Sequence, residues 1–238
     1  DGEAITSVVV MPMVAGTLSK VEVQSGAKVV AGQVLALLDD ASERIAVNVA
    51  KLALSSAQEK VDRYKGLKAT LTRVEIDEAQ RAVDEARLTL ETAELNLSRK
   101  VITAPISGIT GIVTVNPGDN VTTQTQIATI DDRSEVLVDF WVPERFASTV
   151  TVGAPVDAAA ISRPGEVHKG TVEAIDNRID SASRTIRIRA KIPNPDDRLR
   201  AGMSFAVSMK FAGESYPAVD PLSVQWDSKG SYVWRVKE

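Results

Sequence analysis

The sequence predicts a mixed α and β, elongated multidomain chain. A β-sandwich is split by an inserted α-helical coiled-coil hairpin, and a small antiparallel β-barrel and part of a further β domain follow. Three observations predict this. Apolar residues recur at alternating steps of three and four along residues 40–100, the seam of a coiled coil. A glycine-punctuated strand pattern before that stretch returns after it, displaced by 92 residues. From Ser134 onward the helical period gives way to period-two alternation.

At 238 residues the chain is long for one domain. Hydrophobic residues make up 44%, enough for cores, but only 4% are aromatic, so those cores are aliphatic. A net charge of −4 without a dense Lys/Arg cluster argues against a nucleic-acid partner. With no cysteine there is no disulfide framework, thiolate nucleophile or zinc–thiolate site. No apolar run approaches the roughly 20 residues that span a bilayer. The chain begins at Asp1 and ends near the strand-like stretch Ser231–Val236, so both ends read as cut.

Residues 8–39 read as short strands. Gly16, Gly26, Val29, Leu35–Ala36 and Asp39–Asp40 are answered by Gly108, Gly118, Val121, Ile127–Ala128 and Asp131–Asp132. Each copy has about four short strands, too few to bury a face alone. The two copies are therefore expected to pair into one sandwich, residues 8–39 with 101–133.

Residues 40–100 form the hairpin. The first seam is Val47, Ala50, Leu54, Ala57, Val61 and Tyr64; the second is Ile76, Ala79, Val83, Ala86, Leu90, Ala93 and Leu97. Large residues alternate with Ala, which lets two helices approach closely. The short polar break over 68–73 makes them antiparallel neighbours. Asp40 to Glu43 and Thr72 to Glu75 read as capping arrangements, and Arg99 and Lys100 fall in the expected last turn. Each arm is about 28 residues, roughly 40 Å at about 1.5 Å per residue, so most of it must project from the sandwich. Its polar faces, with Lys51, Glu59, Asp84 and Glu91 among others, are either solvated or pack laterally between copies.

In residues 134–211, Val136, Val138, Phe140 and Val142 alternate as a half-buried strand. Pro143–Val150 suits one or two helical turns. Strands follow at 155–160, 170–175, 185–192 and 203–211, separated by Gly, Asp, Asn and Pro, as in a small antiparallel barrel. Arg184, Arg187, Arg189, Arg198 and Arg200 give this region a basic bias. They contact an acidic or lipid surface, or Arg187 and Arg189 are the solvent face of a strand, the reading favoured here.

The two halves of the sandwich resemble those of a biotinyl/lipoyl carrier domain. There the halves meet at a turn bearing the modified Lys. Here the corresponding position, after Asp39–Asp40, opens into the hairpin, and Lys51, the nearest following Lys, lies inside a helix. A lipoyl-type sandwich split by a helical hairpin resembles the membrane fusion protein family, the HlyD-like periplasmic adaptors. Gly170–Ile175, Ser183–Ala190 and Ile192–Met203 are similar to the barrel of members that serve resistance-nodulation-division transporters.

The resemblance implies an adaptor subunit of a tripartite efflux pump in the periplasm, anchored to or associated with the inner membrane of a Gram-negative bacterium. The implied partners are an inner-membrane transporter, an outer-membrane channel and further copies of the chain in a hexameric ring, with no nucleic acid. It also implies channel contacts at the hairpin tip by Arg63, Leu67 and Thr72; Thr72 stands where the family has Ser, and the loop is about two residues shorter. Residues 1–7 with 212–238 would be part of a membrane-proximal domain. The joints Asp39–Asp40, Lys100–Thr103 and Asp132–Ser134 are the expected hinges. The rival readings are an adaptor for an ABC-type or type I secretion system, a lipoyl or biotinyl carrier, and a general interaction stalk.

Nothing in the chain reads as catalytic chemistry. His168 has no second His or Cys to share a metal. Met11 and Met13 point the same way on a strand, but two thioethers are a weak site, and packing into the core is the expectation. No phosphate loop is found, and the carboxylates lie on helix faces and turns. The expectation is a non-enzyme with no catalytic, cofactor or metal residues.

Overall fold

The computed structural model describes residues 1–66, 72–211 and 218–234. Four strands, β1 (Gly2–Val10), β2 (Gly16–Val21), β3 (Lys28–Val29) and β4 (Val34–Leu38), lead into helix α1 (Ala41–Gly66). Helix α2 (Arg73–Ser98) returns the chain to β5 (Val101–Thr103), β6 (Gly108–Thr110) and β7 (Asn120–Val121).

The repeat is realised as an exchange of strands. Gly16 of the first copy pairs with Val121 of the second, and Gly108 of the second pairs with Val29 of the first. Each copy thus completes the other's sheet, which neither could do alone. The equivalent turn glycines Gly26 and Gly118 have φ of 76° and 95°, a region that a β-carbon disfavours. Between the sheets lies an aliphatic core that includes Leu18, Val29, Leu35, Leu38, Ile102, Val121, Ile127 and Ile130.

Strand β8 (Ala128–Pro143) is 16 residues long and leaves this core for a second one. Its partner β1 runs antiparallel beside it, from Gly2 opposite Val138 to Val10 opposite Ala128. Both strands therefore belong to sandwich and barrel at once. Two expectations change here. Residues 2–7 lie in β1, and Gly2–Ala4 pair with barrel residues Val136–Val138 rather than with any described residue of 218–234. The absence of a side chain at Gly2 permits this: a Cβ there would sit 2.5 Å from the Phe205 ring. And Asp132–Ser134 lies within a strand, not in a linker.

After a 3-10 turn at Glu144–Phe146 come β9 (Pro155–Ala160), β10 (Val167–Asp180), β11 (Thr185–Pro193) and β12 (Phe205–Ser208). They pair antiparallel in the order β12-β9-β10-β11-β8. Val136, Val138, Val156, Val172, Ile188 and Ile192 fill the barrel core. The strands β13 (Gln225–Asp227) and β14 (Gly230–Tyr232) pair with each other.

Each hairpin helix has 26 residues. Every predicted seam residue is buried or half-buried, with Val47, Ala50, Val61, Ala79 and Val83 fully so. The ends differ from expectation. Helix α2 stops at Ser98, so Arg99 is its C-cap and Lys100 lies beyond it. Asp40 stands at the N-cap position, its carbonyl accepting from the Arg44 N–H at 2.9 Å, but its carboxylate does not cap the backbone; both oxygens accept from Arg44 Nε, at 2.9 Å each. A guanidinium one turn on offers a charged donor where the backbone offers a neutral one.

Candidate docking surfaces on the hairpin and barrel

The hairpin tip is built by helix ends. Thr72 is the N-cap of α2, with φ −74° and ψ 153°. Its Oγ1 accepts from the Glu75 N–H at 3.4 Å and donates to Glu75 Oε2 at 2.7 Å, while the Thr72 N–H donates to the same oxygen at 2.8 Å. This is a full capping box. The two hydrogen bonds from Thr72, the backbone one foremost, hold the Glu75 carboxyl below the usual range. The Thr72 hydroxyl is thus already engaged within its own helix.

Arg63 is exposed in the last turn of α1. The alternative pairing with Glu59 one turn back does not form; among the described residues the nearby ion pair is Lys65 with Asp62, at 3.2 Å. Leu67 lies outside the described residues. The structure therefore brings Arg63 and Thr72 to the same end of the hairpin, with a guanidinium available there and the hydroxyl already committed.

The root is closed by Lys100 and Glu43, 3.1 Å apart. Between root and tip the outward backs of the helices are partly apolar. Ile45, Val49 and Leu52 on α1 and Leu88 and Leu95 on α2 stay exposed, Leu52 at 71% and Leu88 at 64%. Ile45, Leu52, Leu88 and Leu95 each fall two residues from a seam position, so they point away from the partner helix. These five escaped the sequence reading, although their own spacing of three, four and seven is visible in it. The seam, with its stricter repeat, drew the whole helical signal.

Four of the five arginines in the basic bias of the barrel are matched by carboxylates, Arg200 being the exception among the described residues. Arg189 donates to both oxygens of Asp139 at 2.7 and 2.9 Å, and Arg187 lies 3.4 Å from Asp176. Arg184 pairs with Glu144 and Arg198 with Glu166. The Arg189 hydrogen bond is the main reason the Asp139 carboxyl is held below its usual range. Arg187 and Arg189 alternate with the buried Ile186, Ile188 and Ala190, so they are the solvent side of β11. Met11 and Met13 are exposed at 46% and 76%, against the expectation of core packing, because they flank Pro12, whose own side is the buried one. His168 is half-buried opposite Ala158. No group of three His, Cys, Asp or Glu able to hold a metal occurs among the described residues.

Residues 6–132 match the family described as the RND MFP, barrel-sandwich hybrid domain, and residues 135–213 match the CusB-like, beta-barrel domain. The chain belongs to the RND membrane fusion proteins. A relative in this group, an uncharacterized protein of Haemophilus influenzae, is 31% identical over 92% of the chain and 59% of its own length. Multidrug resistance protein MdtA of Escherichia coli is 29% identical over 97% of the chain and 62% of its own length. The chain thus spans about three fifths of the length of these curated relatives.

Among solved structures, MacA of Actinobacillus actinomycetemcomitans aligns with a TM-score of 0.70 and 25% identity, over 89% of the chain and 76% of its own. A MacA–MexA chimera carrying the Pseudomonas aeruginosa MexA α-hairpin shares the fold, with a TM-score of 0.78 and 24% identity, over 97% of the chain and 88% of its own.

Proposed function

We propose that the protein is the periplasmic adaptor subunit of a tripartite efflux pump. It links an inner-membrane resistance-nodulation-division transporter to an outer-membrane channel and forms part of the sealed conduit between them. One observation carries this reading: two 26-residue helices are inserted where a carrier domain would turn, and neither packs extensively on a strand. Such an arm reaches outward and presents its tip. MdtA's name as a multidrug resistance protein and the family match support the same reading. The mechanism is assembly, with energy supplied by the transporter and no covalent chemistry by this chain.

The tip residues Arg63, Leu67 and Thr72 are the proposed channel contacts. Arg63 supplies a charged, directional donor. Copies surround the conduit in a ring, six by family resemblance. The exposed apolar backs support this: Ile45, Val49 and Leu52 on one copy can meet Leu88 and Leu95 on the next. A face of α1 against a face of α2 is a heterologous contact, which closes into a ring when the rotation allows. The proposed site of action is the periplasm, in association with the inner membrane.

The test is cross-linking and drug accumulation in a Gram-negative host supplied with the transporter and channel. Photo-cross-linker placed at Lys65, in the same last turn of α1 as Arg63, should trap the channel, and Arg63→Asp in that labelled protein should abolish the trap and raise drug accumulation. Normal efflux in Arg63→Asp with no cross-link from the tip would overturn the reading.

A further inference from the structure

The stretch Ile192–Met203, singled out in the sequence and not used by the docking surfaces, sits against the joint between sandwich and barrel. At that joint the β1–β8 ladder is interrupted. Ala4 pairs with Val136 and Thr6 with Asp132, so Arg133, Ser134 and Glu135 bulge opposite the single residue Ile5. A bulge leaves ladder groups unpaired and is where a strand bends most readily.

Asn194 fills this break. Its backbone N–H donates to Ser134 O at 2.9 Å, and its side-chain Nδ2 donates to Arg133 O at 2.8 Å. The same Nδ2 donates to Leu199 O at 2.9 Å, and Asn194 Oδ1 accepts from the Leu199 N–H at 3.0 Å. Leu199 belongs to the barrel core, and Asn194 is only 4% exposed. One side chain therefore ties the bulge to the barrel interior.

Over it lies an ion pair, Arg133 Nη2 to Asp197 Oδ2 at 2.9 Å. Asp197 adopts a left-handed backbone, φ 51°, and its N–H donates to Asn194 O at 3.1 Å. Arg133 Nε and Asp197 Oδ1 are shielded from solvent without a partner, and it is the Arg133 side chain, 15% exposed against 41% for Asp197, that is left in a drier place if the pair is broken. A few residues on, Gly202 N donates to Gly2 O and Gly2 N to Met203 O, at 2.8 Å each, which fastens the start of β1 as well.

We propose that Asn194 and the Arg133–Asp197 pair form a clasp that locks the sandwich to the barrel, so that the two move as one body. Movement is then confined to the hairpin root, where the chain crosses at Asp39–Asp40 and Arg99–Lys100 and the helices pack chiefly on each other, and not at Val101–Thr103, which pairs with β4 in the sandwich. Of three joints that look alike in the sequence, this one is tied into a domain core, by a side chain from a segment about 60 residues downstream, roughly the separation of Arg133 from Asn194.

The chain has no cysteine, so introduced thiols label uniquely. Electron–electron distance measurements with spin labels at Gln124→Cys and Val152→Cys should give a narrow sandwich-to-barrel distribution. Labels at Ser56→Cys and Val152→Cys should give a hairpin-to-barrel distribution at least twice as wide. Asn194→Ala and Asp197→Ala should each widen the first distribution two-fold or more, and Arg133→Asp combined with Asp197→Arg should narrow it again relative to either single reversal. A sandwich-to-barrel distribution as wide as the hairpin-to-barrel one in the unaltered protein would overturn the clasp, and that comparison needs no folding-sensitive variant. Unchanged widths in both alanine variants would overturn it equally. The measurement reads no transport, so its outcome is separate from that of the proposed function.

Discussion

Lys100 Nζ lies 3.1 Å from Glu43 Oε1, joining the residue just past α2 to the first turn of α1 with side chains 16% and 21% exposed. The hydrogen bond from Lys100, followed by that from Ser42, holds the Glu43 carboxyl below its ordinary value of 4.5. A carboxyl depressed on folding adds stability that is complete above the ordinary value and is lost as the pH falls through the folded one. Glu43→Gln should therefore cost about 1 kcal/mol at neutral pH, as expected for a charged hydrogen bond discounted for partial exposure. The cost should fade in acid. Thermal unfolding of both proteins across the acid range reads the closing gap.

The repeat makes Gly16 and Gly108 equivalent, but their surroundings are not. A Cβ at Gly108 would lie 2.5 Å from the Asp131 carbonyl oxygen, whereas at Gly16 the nearest atom is Leu38 Cδ1 at 3.5 Å. Backbone cannot give way as a side chain can. Gly108→Ala is expected to destabilise by about 1–3 kcal/mol and Gly16→Ala by far less, measured as shifts in denaturant midpoint.

On the hairpin, seam and back should separate cleanly. Val83 is 1% exposed, and Val83→Ala should cost about 2 kcal/mol from two buried methyl groups and the space they leave. Leu88→Ala and Leu52→Ala, on the backs, should change monomer stability by less than about 0.5 kcal/mol. If the backs join copies, the same two variants should lower the assembled fraction seen by native mass spectrometry.

Thr72→Ala removes the capping hydroxyl and should cost about 1 kcal/mol of helix stability. Thr72→Ser should restore it, because the bonds to Glu75 need only the hydroxyl and the backbone. Comparing both variants for helix melting by circular dichroism and for channel cross-linking divides the cap from the contact. A contact role of its own predicts cross-linking losses larger than the loss of helicity explains.

Much of the architecture is legible in residue spacing. The hairpin seam could be read because coiled-coil neighbours lie three or four residues apart and no distant information is needed. The barrel strands were legible for the same reason at period two, although β10 and β8 run longer than their alternation suggested. The tip was legible in its positions and its cap, since Arg63 and Thr72 can be placed by the helix ends and the Thr72–Glu75 box by its spacing, but that Arg63 would not pair with Glu59 cannot be read there. The apolar backs were overlooked for a different reason. An exposed Leu and a seam Leu are the same letter, and burial is set by the partner helix.

By itself the sequence determined the hairpin, its seam, the α2 capping box and the reciprocal pairing of two repeated halves, because each rests on local period or on self-similarity. Only the tertiary structure decided where Lys100 and residues 2–7 find their partners, and that Asn194 and Asp197 close over Arg133. Those choices join groups tens to hundreds of residues apart. Which donor reaches which acceptor depends on distances fixed only after β1 and β8 have linked the two cores.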